Sequence, residues 1–342
     1  MHLFKRLIYL AYYFKKLDWD KLNQFMEYII KKYKVSRAVL WLRVLYSSVR
    51  YNISILEYFQ FRFYEISKEE KQKFAGTGFM YEYQLSMNPK VARPVLEDKS
   101  IFLREYGAFV KHKHLTLSEL ENNKSIVTRI LNNPSGKIVV KDSFGQCGEG
   151  VTVLQTKNVT ADSLIATLKE TKNDLVEEFV VQHKTLMKLS PSGLNTVRIV
   201  TQLNNKDQVE IIGARLRITV NSVVDNLAAG NIAAPINVSS GIVEGPAVYS
   251  DITKEDAYNH PITNVEIPGL VIPFWTETVQ LILDAAALNK TNRSIGWDIA
   301  ITQSGPELIE GNHDWCKLLW QLPVKRGLKP TLQQYLKDLK IK

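Results

Sequence analysis

Three oxygen-bearing side chains near the C-terminal end are spaced so that they can hold a cation. Asp298 lies in Gly296-Trp297-Asp298-Ile299-Ala300-Ile301, and Glu310 and Asn312 lie in Glu310-Gly311-Asn312. Two apolar stretches flank the polar turn Gln303-Ser304-Gly305-Pro306, which predicts two strands joined as a hairpin. In such a hairpin Asp298 falls near the strand partner of Glu310, and Asn312, two residues on, faces the same side. Three hard oxygen ligands converging on one face suit Mg²⁺ bridging the phosphates of a nucleotide. Taken singly, each residue reads better as a polar side chain at a strand end or in a turn. Together the trio favours the metal.

A phosphate-binding element is the natural companion, and Ser143-Phe-Gly-Gln-Cys-Gly-Glu-Gly150 has the right composition. Gly145, Gly148 and Gly150 let the backbone turn sharply and bring N–H groups close to a ligand. Lys141 sits on the strand just before this loop, within reach of the same phosphates. The loop lacks the Walker spacing, and a strand follows it rather than a helix, which excludes a dinucleotide fingerprint. Cys147 reads as a small loop residue.

Strands and helices must position these groups. Lys137–Asp142 reads as a short buried strand with Val151–Leu154 as its hairpin partner, Ala161–Thr171 as a helix and Asp174–Val181 as a strand. Further strands are expected at Thr196–Leu203 and Val209–Ile218, an amphipathic helix at Glu277–Leu288, and a basic helix after Pro330. Residues 1–75 read as helices, from Leu3, Leu7, Leu10, Phe14 and Leu17 and then Leu22, Phe25, Met26, Ile29 and Ile30 at helical spacing. Asp18 or Asp20 caps the second of these, and Ser67 with Glu70 forms a capping box. Ile53–Ile66 is rich in aromatics.

The 342 residues suffice for two or three domains. Two distant cysteines, Cys147 and Cys316, exclude a disulfide framework and a cysteine-based zinc site, and fit a reduced cytoplasmic setting. No transmembrane run or signal peptide is expected. His112 and His114 flank Lys113 in a basic loop, read as a metal site only second. Asp314 and His313 read as structural. Residues 1–50 hold eleven Lys and Arg against three acids, an excess of eight that nearly equals the net charge of +9. The basicity therefore belongs to the N-terminal helices. A solvated basic face is the first reading, peripheral attachment to the inner face of an anionic membrane the second, and nucleic acid the least favoured.

These residues together resemble the ATP-grasp superfamily. The likeness rests on Lys99 in Asp98-Lys99, Val-Val-Lys141 with its glycine loop, Leu-Val-Glu177-Glu178-Phe-Val180, and Asp298 with Glu310-x-Asn312. The chain resembles most closely the sugar-transfer-associated ATP-grasp proteins, which are related to alpha-L-glutamate ligases. That likeness rests on Leu56–Tyr64, Asn195-Thr-Val-Arg198, Gly213-Ala-Arg-Leu-Arg217, Asp225-Asn226 with Gly230, and Gly-Pro-Glu-Leu-Ile-Glu-Gly-Asn312. The resemblance implies an α+β ATP-grasp fold, two α+β subdomains gripping ATP behind an N-terminal helical region. The expected bounds are 1–94, 95–185 and 186–342. It implies Lys99 and Lys141 on the phosphates, Glu177, Glu178 and Val180 at an adenine hinge, and two Mg²⁺ ions on Asp298, Glu310 and Asn312. Asn226 is expected to contact the nucleotide, although a plain turn is nearly as good a reading.

The implied reaction is carboxylate–amine ligation through an acyl phosphate. The partners would be a sugar (uronic) acid, free or lipid- or nucleotide-linked, and an amine or amino acid, in cell-surface polysaccharide synthesis. D-alanine–D-alanine ligases carry an Arg two residues before the metal-binding Asp, where this chain has Gly296. Charge stabilisation then falls to Arg198, Arg215 or Arg217. The alternatives are a phosphotransferase acting on a sugar hydroxyl and a degenerate ATP-binding module of a glycosyltransferase complex.

Overall fold

A computed structural model describes residues 3–145 and 150–341. The N-terminal helices are α1 (Leu3–Lys15), α2 (Trp19–Tyr33), α3 (Arg37–Tyr51), α4 (Ile55–Gln60), α5 (Lys68–Lys71) and α6 (Thr77–Met87). Local chemistry sets their ends. The Asp18 carboxylate accepts from Lys21 N at 2.9 Å to start α2, and Lys34 closes it in the left-handed region. Ser67 and Glu70 form the expected capping box of α5. Leu22, Phe25, Met26 and Ile29 share one face of α2 and pack on Phe59, Phe61 and Phe63.

Glu57 on α4 ties this region to the rest of the chain. It is buried, yet it accepts from Ser54 N (2.7 Å), Thr77 N (2.9 Å) and Thr77 Oγ1 (2.8 Å), and Lys317 Nζ lies 3.1 Å away. These partners offset the cost of burying its charge. Helix α6 packs its apolar side chains with Val200, Trp315, Trp320 and Leu332, and it meets α1 where Lys5 Nζ lies 2.9 Å from Glu82 and the Tyr9 and Tyr81 rings approach edge to face.

Two short helices follow, α7 (Pro94–Glu97) and α8 (Lys99–Glu105), and then a four-stranded antiparallel sheet. Its strands are β1 (His114–Thr116), β2 (Lys137–Lys141), β3 (Thr152–Gln155) and β4 (Leu175–Glu178), in the order β1-β4-β2-β3. Helices α9 (Leu117–Asn122), α10 (Thr128–Leu131) and α11 (Ala161–Thr171) cover it through Leu120, Ile130, Leu164 and Leu168. After β4 the chain crosses to the second sheet, where Gln182 bridges Thr302 and His183 N donates to Ile301 O at 2.6 Å. Helix α12 (Lys184–Leu189) follows that crossing.

The second sheet is antiparallel and five-stranded. Its strands are β5 (Val197–Leu203), β6 (Val209–Ile218), β7 (Ile232–Ile236), β8 (Ser294–Thr302) and β9 (Gly305–Asn312), ordered β7-β6-β5-β8-β9. Val197, Ile199, Ala214, Leu216, Trp297 and Ile299 form one apolar core with Ile282, Ala285 and Ala286 of α13 (Trp275–Leu288). By alternation the other face presents Arg198, Arg215, Arg217 and Asp298. The chain ends with α14 (Lys317–Gln321) and α15 (Lys329–Ile341).

Candidate active site

The polar face of the second sheet is built by register. Arg198 on β5 lies directly opposite Asp298 on β8, which lies opposite Glu310 on β9. The last pairing depends on a bulge. Ile299 pairs with Leu308 while Asp298 pairs with Glu310, leaving Ile309 as the extra residue. Leu308 points into the core. Without the extra residue Glu310 would share that core-facing side; the bulge turns it onto the face of Asp298.

Asp298 is held by two arginines. Arg198 grips it with Nε to Oδ1 at 2.5 Å and Nη2 to Oδ2 at 2.7 Å, and Arg217 Nη1 adds a 2.8 Å contact to Oδ2. Arg217 is held in turn by Asp225, with Nη2 2.6 Å from Oδ1. Asp225 also accepts from Thr196 N at 2.9 Å and from the Thr196 hydroxyl. Burial pushes the Asp298 carboxyl up, but Arg198 and Arg217 outweigh it and hold the group well below the carboxylate range. Burial and the adjacent Asp298 charge push Glu310 the other way, up. An apolar trio in place of a buried Arg–Asp–Arg cluster is often as stable, or more so by about 1–4 kcal/mol. Stability alone therefore does not account for these charges.

The donor set fits a hard cation. Glu310 is a half-buried carboxylate destabilised by desolvation and a neighbouring negative charge, which a cation would relieve. Asn312 sits beside it, with Nδ2 3.2 Å from Glu310 Oε1, and its amide oxygen is a further hard ligand. Both Asp298 oxygens are engaged by guanidinium groups, yet each carboxylate oxygen has a second lone pair. Among the described residues no group of three or more His, Cys, Asp or Glu side chains is arranged to hold a metal. A cation here would thus rest on two carboxylates, an amide and phosphate oxygens, as Mg²⁺ commonly does.

The first sheet and α8 each bring a lysine to the same space. Lys141 Nζ, at the end of β2, lies 2.6 Å from Glu177 Oε2 on β4. Lys99 opens α8, where the Asp98 side chain caps the helix. Its N–H donates to Ser143 O at 3.0 Å, and its ammonium reaches Ser143 O (3.4 Å) and Gly145 O. Burial lowers the Lys99 pKa, Glu310 raises it and Lys141 lowers it, so these three groups feel one another across the space between the sheets. Asp174, read from sequence only as the start of a strand, anchors the start of the glycine loop by accepting from Ser143 N and Oγ, each at 2.7 Å. Gly150 has φ +72°, a conformation L side chains rarely adopt, and its carbonyl accepts from Asn173 Nδ2 at 3.3 Å. Gly148, with Cys147, lies outside the described residues.

Other expected contacts are placed differently. Glu177 points inward, to Lys141 and His112, rather than toward the hinge. Glu178 binds Lys113, its carboxylate accepting from Lys113 N at 3.0 Å and its N–H donating to Lys113 O at 2.9 Å. Val180 makes no backbone hydrogen bond to any described residue, which leaves its N–H and C=O for a ligand. The Asn226 side chain accepts from Ala228 N at 3.1 Å and caps a short turn ending at Gly230, φ +89°. Arg215 shares the face of Arg217 but turns away from Asp298, donating from Nε (3.1 Å) and Nη2 to Trp320 O and from Nη1 to Ala214 O (2.6 Å). At Gly296 an added Cβ would lie 2.5 Å from Trp315 Cβ and 3.4 Å from Arg198 Cδ. Trp315 fills the space of a side chain there, and Arg198 brings a guanidinium from the neighbouring strand. His112, read from sequence as part of a basic loop, is buried between two glutamates.

No curated protein matches this sequence. Solved structures similar to it include the ATP-grasp ligase PsnB complexed with a minimal precursor, at 14% identity and TM-score 0.41, covering 74% of this chain and 63% of that one. They also include D-alanyl-alanine synthetase A from Vibrio cholerae O1 biovar eltor, at 14% identity and TM-score 0.41, covering 72% and 66%. D-cycloserine synthetase DcsG matches at 12% identity and TM-score 0.40, covering 74% and 73%. The chain thus spans less than two thirds of the length of the first two. A family description, sugar-transfer associated ATP-grasp, matches residues 79–337, which include Lys99, Lys141, Arg198, Asp298 and Glu310. With that match running over most of its length, the chain belongs to the sugar-transfer associated ATP-grasp family.

Proposed function

We propose that the protein is an ATP- and Mg²⁺-dependent carboxylate–amine ligase that joins an amine or amino acid to a sugar acid through an acyl phosphate. The observation that carries this reading is the line Arg198–Asp298–Glu310 across three adjacent strands, with Lys141 of the other sheet and Lys99 at the start of α8 facing it. Glu310 and Asn312 would hold the metal, with Asp298 beside them; Mg²⁺, when bound, offsets phosphate charge and polarises the transferred group. Lys99 and Lys141 bind and orient the phosphates of ATP. A carboxylate oxygen of the acid bonds to the γ-phosphorus as the bond to the β-phosphate oxygen breaks and ADP leaves. The amine then bonds to the carbonyl carbon, phosphate departs, and the amine nitrogen loses a proton.

Arg198 keeps Nη1 without an acceptor among the described residues. Aimed by its two-pronged hold on Asp298, it can stabilise the negative charge that develops on the acyl phosphate. A carboxylate nucleophile needs no base to remove a proton, which suits a site whose central Asp298 is kept ionised by two arginines. The test uses purified protein with ATP, Mg²⁺ and panels of uronic acids and amines. Phosphate release that requires both acid and amine supports the ligase. A phosphorylated sugar formed without amine overturns it in favour of a phosphotransferase.

The acceptor reading extends to a membrane-linked acid. On α1, Phe4, Leu7, Ile8 and Tyr12 are exposed, and on α3, Val39, Leu42 and Tyr46 are exposed, with Phe4 at 73% and Leu42 at 69%. The two helices are joined by Arg6 Nη1, which donates to Val49 O (3.0 Å) and Arg50 O (2.9 Å). Lys15, Arg37 and Arg43 on the same two helices, and Lys16 just past α1, are also exposed. Helices that expose both apolar side chains and cations suit an anionic lipid surface. Among the described residues no helix is long and apolar enough to cross a membrane.

A further inference from the structure

A chain of four charged side chains, three of them buried, joins the two sheets and ends at Lys141. Lys141 on β2 pairs with Glu177 on β4, 2.6 Å apart. Glu177 Oε1 lies 3.8 Å from His112 Nε2, an ion-pair distance rather than a hydrogen bond. His112 Nδ1 lies 2.8 Å from Glu307 Oε2 on β9, and the backbone N–H groups of Lys111 and His112 donate to the same oxygen, each at 2.9 Å. His112, Glu177 and Glu307 are each at most 7% exposed. With the imidazole protonated, two carboxylates face two cations and the cluster is neutral. With it neutral, a buried negative charge is in excess. Strand pairing β2–β4 and β8–β9 is complete without this bridge, so the fold does not require it for register.

We propose that His112 is a positioning residue for nucleotide binding, fixing Glu177 against Glu307 and, through Glu177, the Lys141 ammonium. The proposal rests on the ATP-dependent reading above. Lys141 ends its strand just before the glycine loop, where a loose side chain has many rotamers. Glu177 selects one of them, and Glu177 is in turn held by an imidazolium anchored to the opposite sheet. The position of a phosphate-binding charge on one sheet is thereby set relative to the Asp298–Glu310 face of the other. Nothing in the sequence marked His112 for this role, because its two partners lie 65 and 195 residues away.

The test is a double-mutant cycle on the full chain, with Mg²⁺-ATP affinity read by titration calorimetry. His112→Gln is expected to weaken binding roughly tenfold, and Lys141→Ala to weaken it at least as much. The double variant is expected to bind no more weakly than Lys141→Ala alone, since His112 acts only through that lysine. Additive losses in the double variant, or an unchanged affinity in folded His112→Gln, overturn the proposal and leave His112 a structural staple. Should His112→Gln fail to fold by circular dichroism, Glu307→Gln removes its anchor and enters the same cycle. Failure of the wild-type chain to bind Mg²⁺-ATP is a separate result, and it removes the ligase reading together with this one.

Discussion

Arg198 and Asp298 face each other across adjacent antiparallel strands and are joined by two parallel contacts, 2.5 and 2.7 Å long. This geometry is specific to a guanidinium, since an ammonium cannot span both carboxylate oxygens in one plane. Arg198→Lys is therefore expected to fold but to turn over ATP on the order of 100-fold more slowly, the scale seen when a charge-stabilising donor is lost. Arg198→Ala leaves Asp298 with Arg217 alone and should lower stability by about 3–5 kcal/mol. Steady-state phosphate release and urea melts check the two variants. Wild-type turnover in Arg198→Lys would remove Arg198 from the chemistry.

Glu310 has a pH signature of its own. Its pKa is raised in the fold, by burial and then by Asp298, so ionising it costs stability. The ligand-free protein should lose stability as pH rises through this titration, the opposite of an ordinary paired carboxylate. Glu310→Gln should remove that slope, match or exceed wild-type stability at neutral pH, and abolish Mg²⁺-dependent ATP turnover. Thermal melts across pH, with and without Mg²⁺-ATP, read both effects. A variant less stable than wild type at neutral pH would contradict the assignment of charge repulsion here.

The His112 imidazole carries the reverse sign. Burial lowers its pKa, but Glu177 and Glu307 outweigh burial and push it up to about 9, against the ordinary value of 6.5. Its contribution to stability is thus complete below about 6.5 and disappears as pH climbs through about 9. Glu177 of β4 and Glu307 of β9 flank it, His114 of β1 interacts with it, Lys141 of β2 pairs with Glu177, and Lys111 and Lys113 are its chain neighbours. Urea midpoints should fall over this range in wild type and flatten in His112→Gln. Equal slopes would place the transition on another group.

Gly296 is fixed by packing. An alanine Cβ there meets Trp315 Cβ at 2.5 Å, so Gly296→Ala should cost about 1–3 kcal/mol through overpacking. Gly296→Arg should not restore activity to Arg198→Ala, because Trp315 occupies the path of a longer side chain. Chemical denaturation and a rescue assay test the pair.

The exposed apolar and basic face of α1 and α3 predicts binding to vesicles containing phosphatidylserine. Binding should weaken as salt rises from 50 to 500 mM, because screening shortens the reach of the lysines and arginines. Phe4→Asp with Leu42→Asp should reduce it with no change in soluble ATP turnover. Co-sedimentation measures both, and absence of binding at low salt would dismiss the membrane reading.

The sequence alone determined what local rules control. Asp18, Ser67 and Glu70 stand where helix caps need them, and the chain caps there. Alternation put Arg215 and Arg217 on one face, and the polar turn before Gly305 marked a hairpin whose strands carry Asp298 and Glu310. Four decisions belonged to the tertiary structure. The extra residue Ile309 sets Glu310 on the face of Asp298, and bulges leave no composition signal. The two arginines on Asp298 come from 100 and 81 residues away, distances at which only strand order selects partners. Trp320 draws Arg215 off that face, although its spacing is as good as that of Arg217. His112 meets Glu177 and Glu307 only where the two sheets come together. Periodicity reports which way a side chain points, whereas the packing of distant elements decides what it meets there.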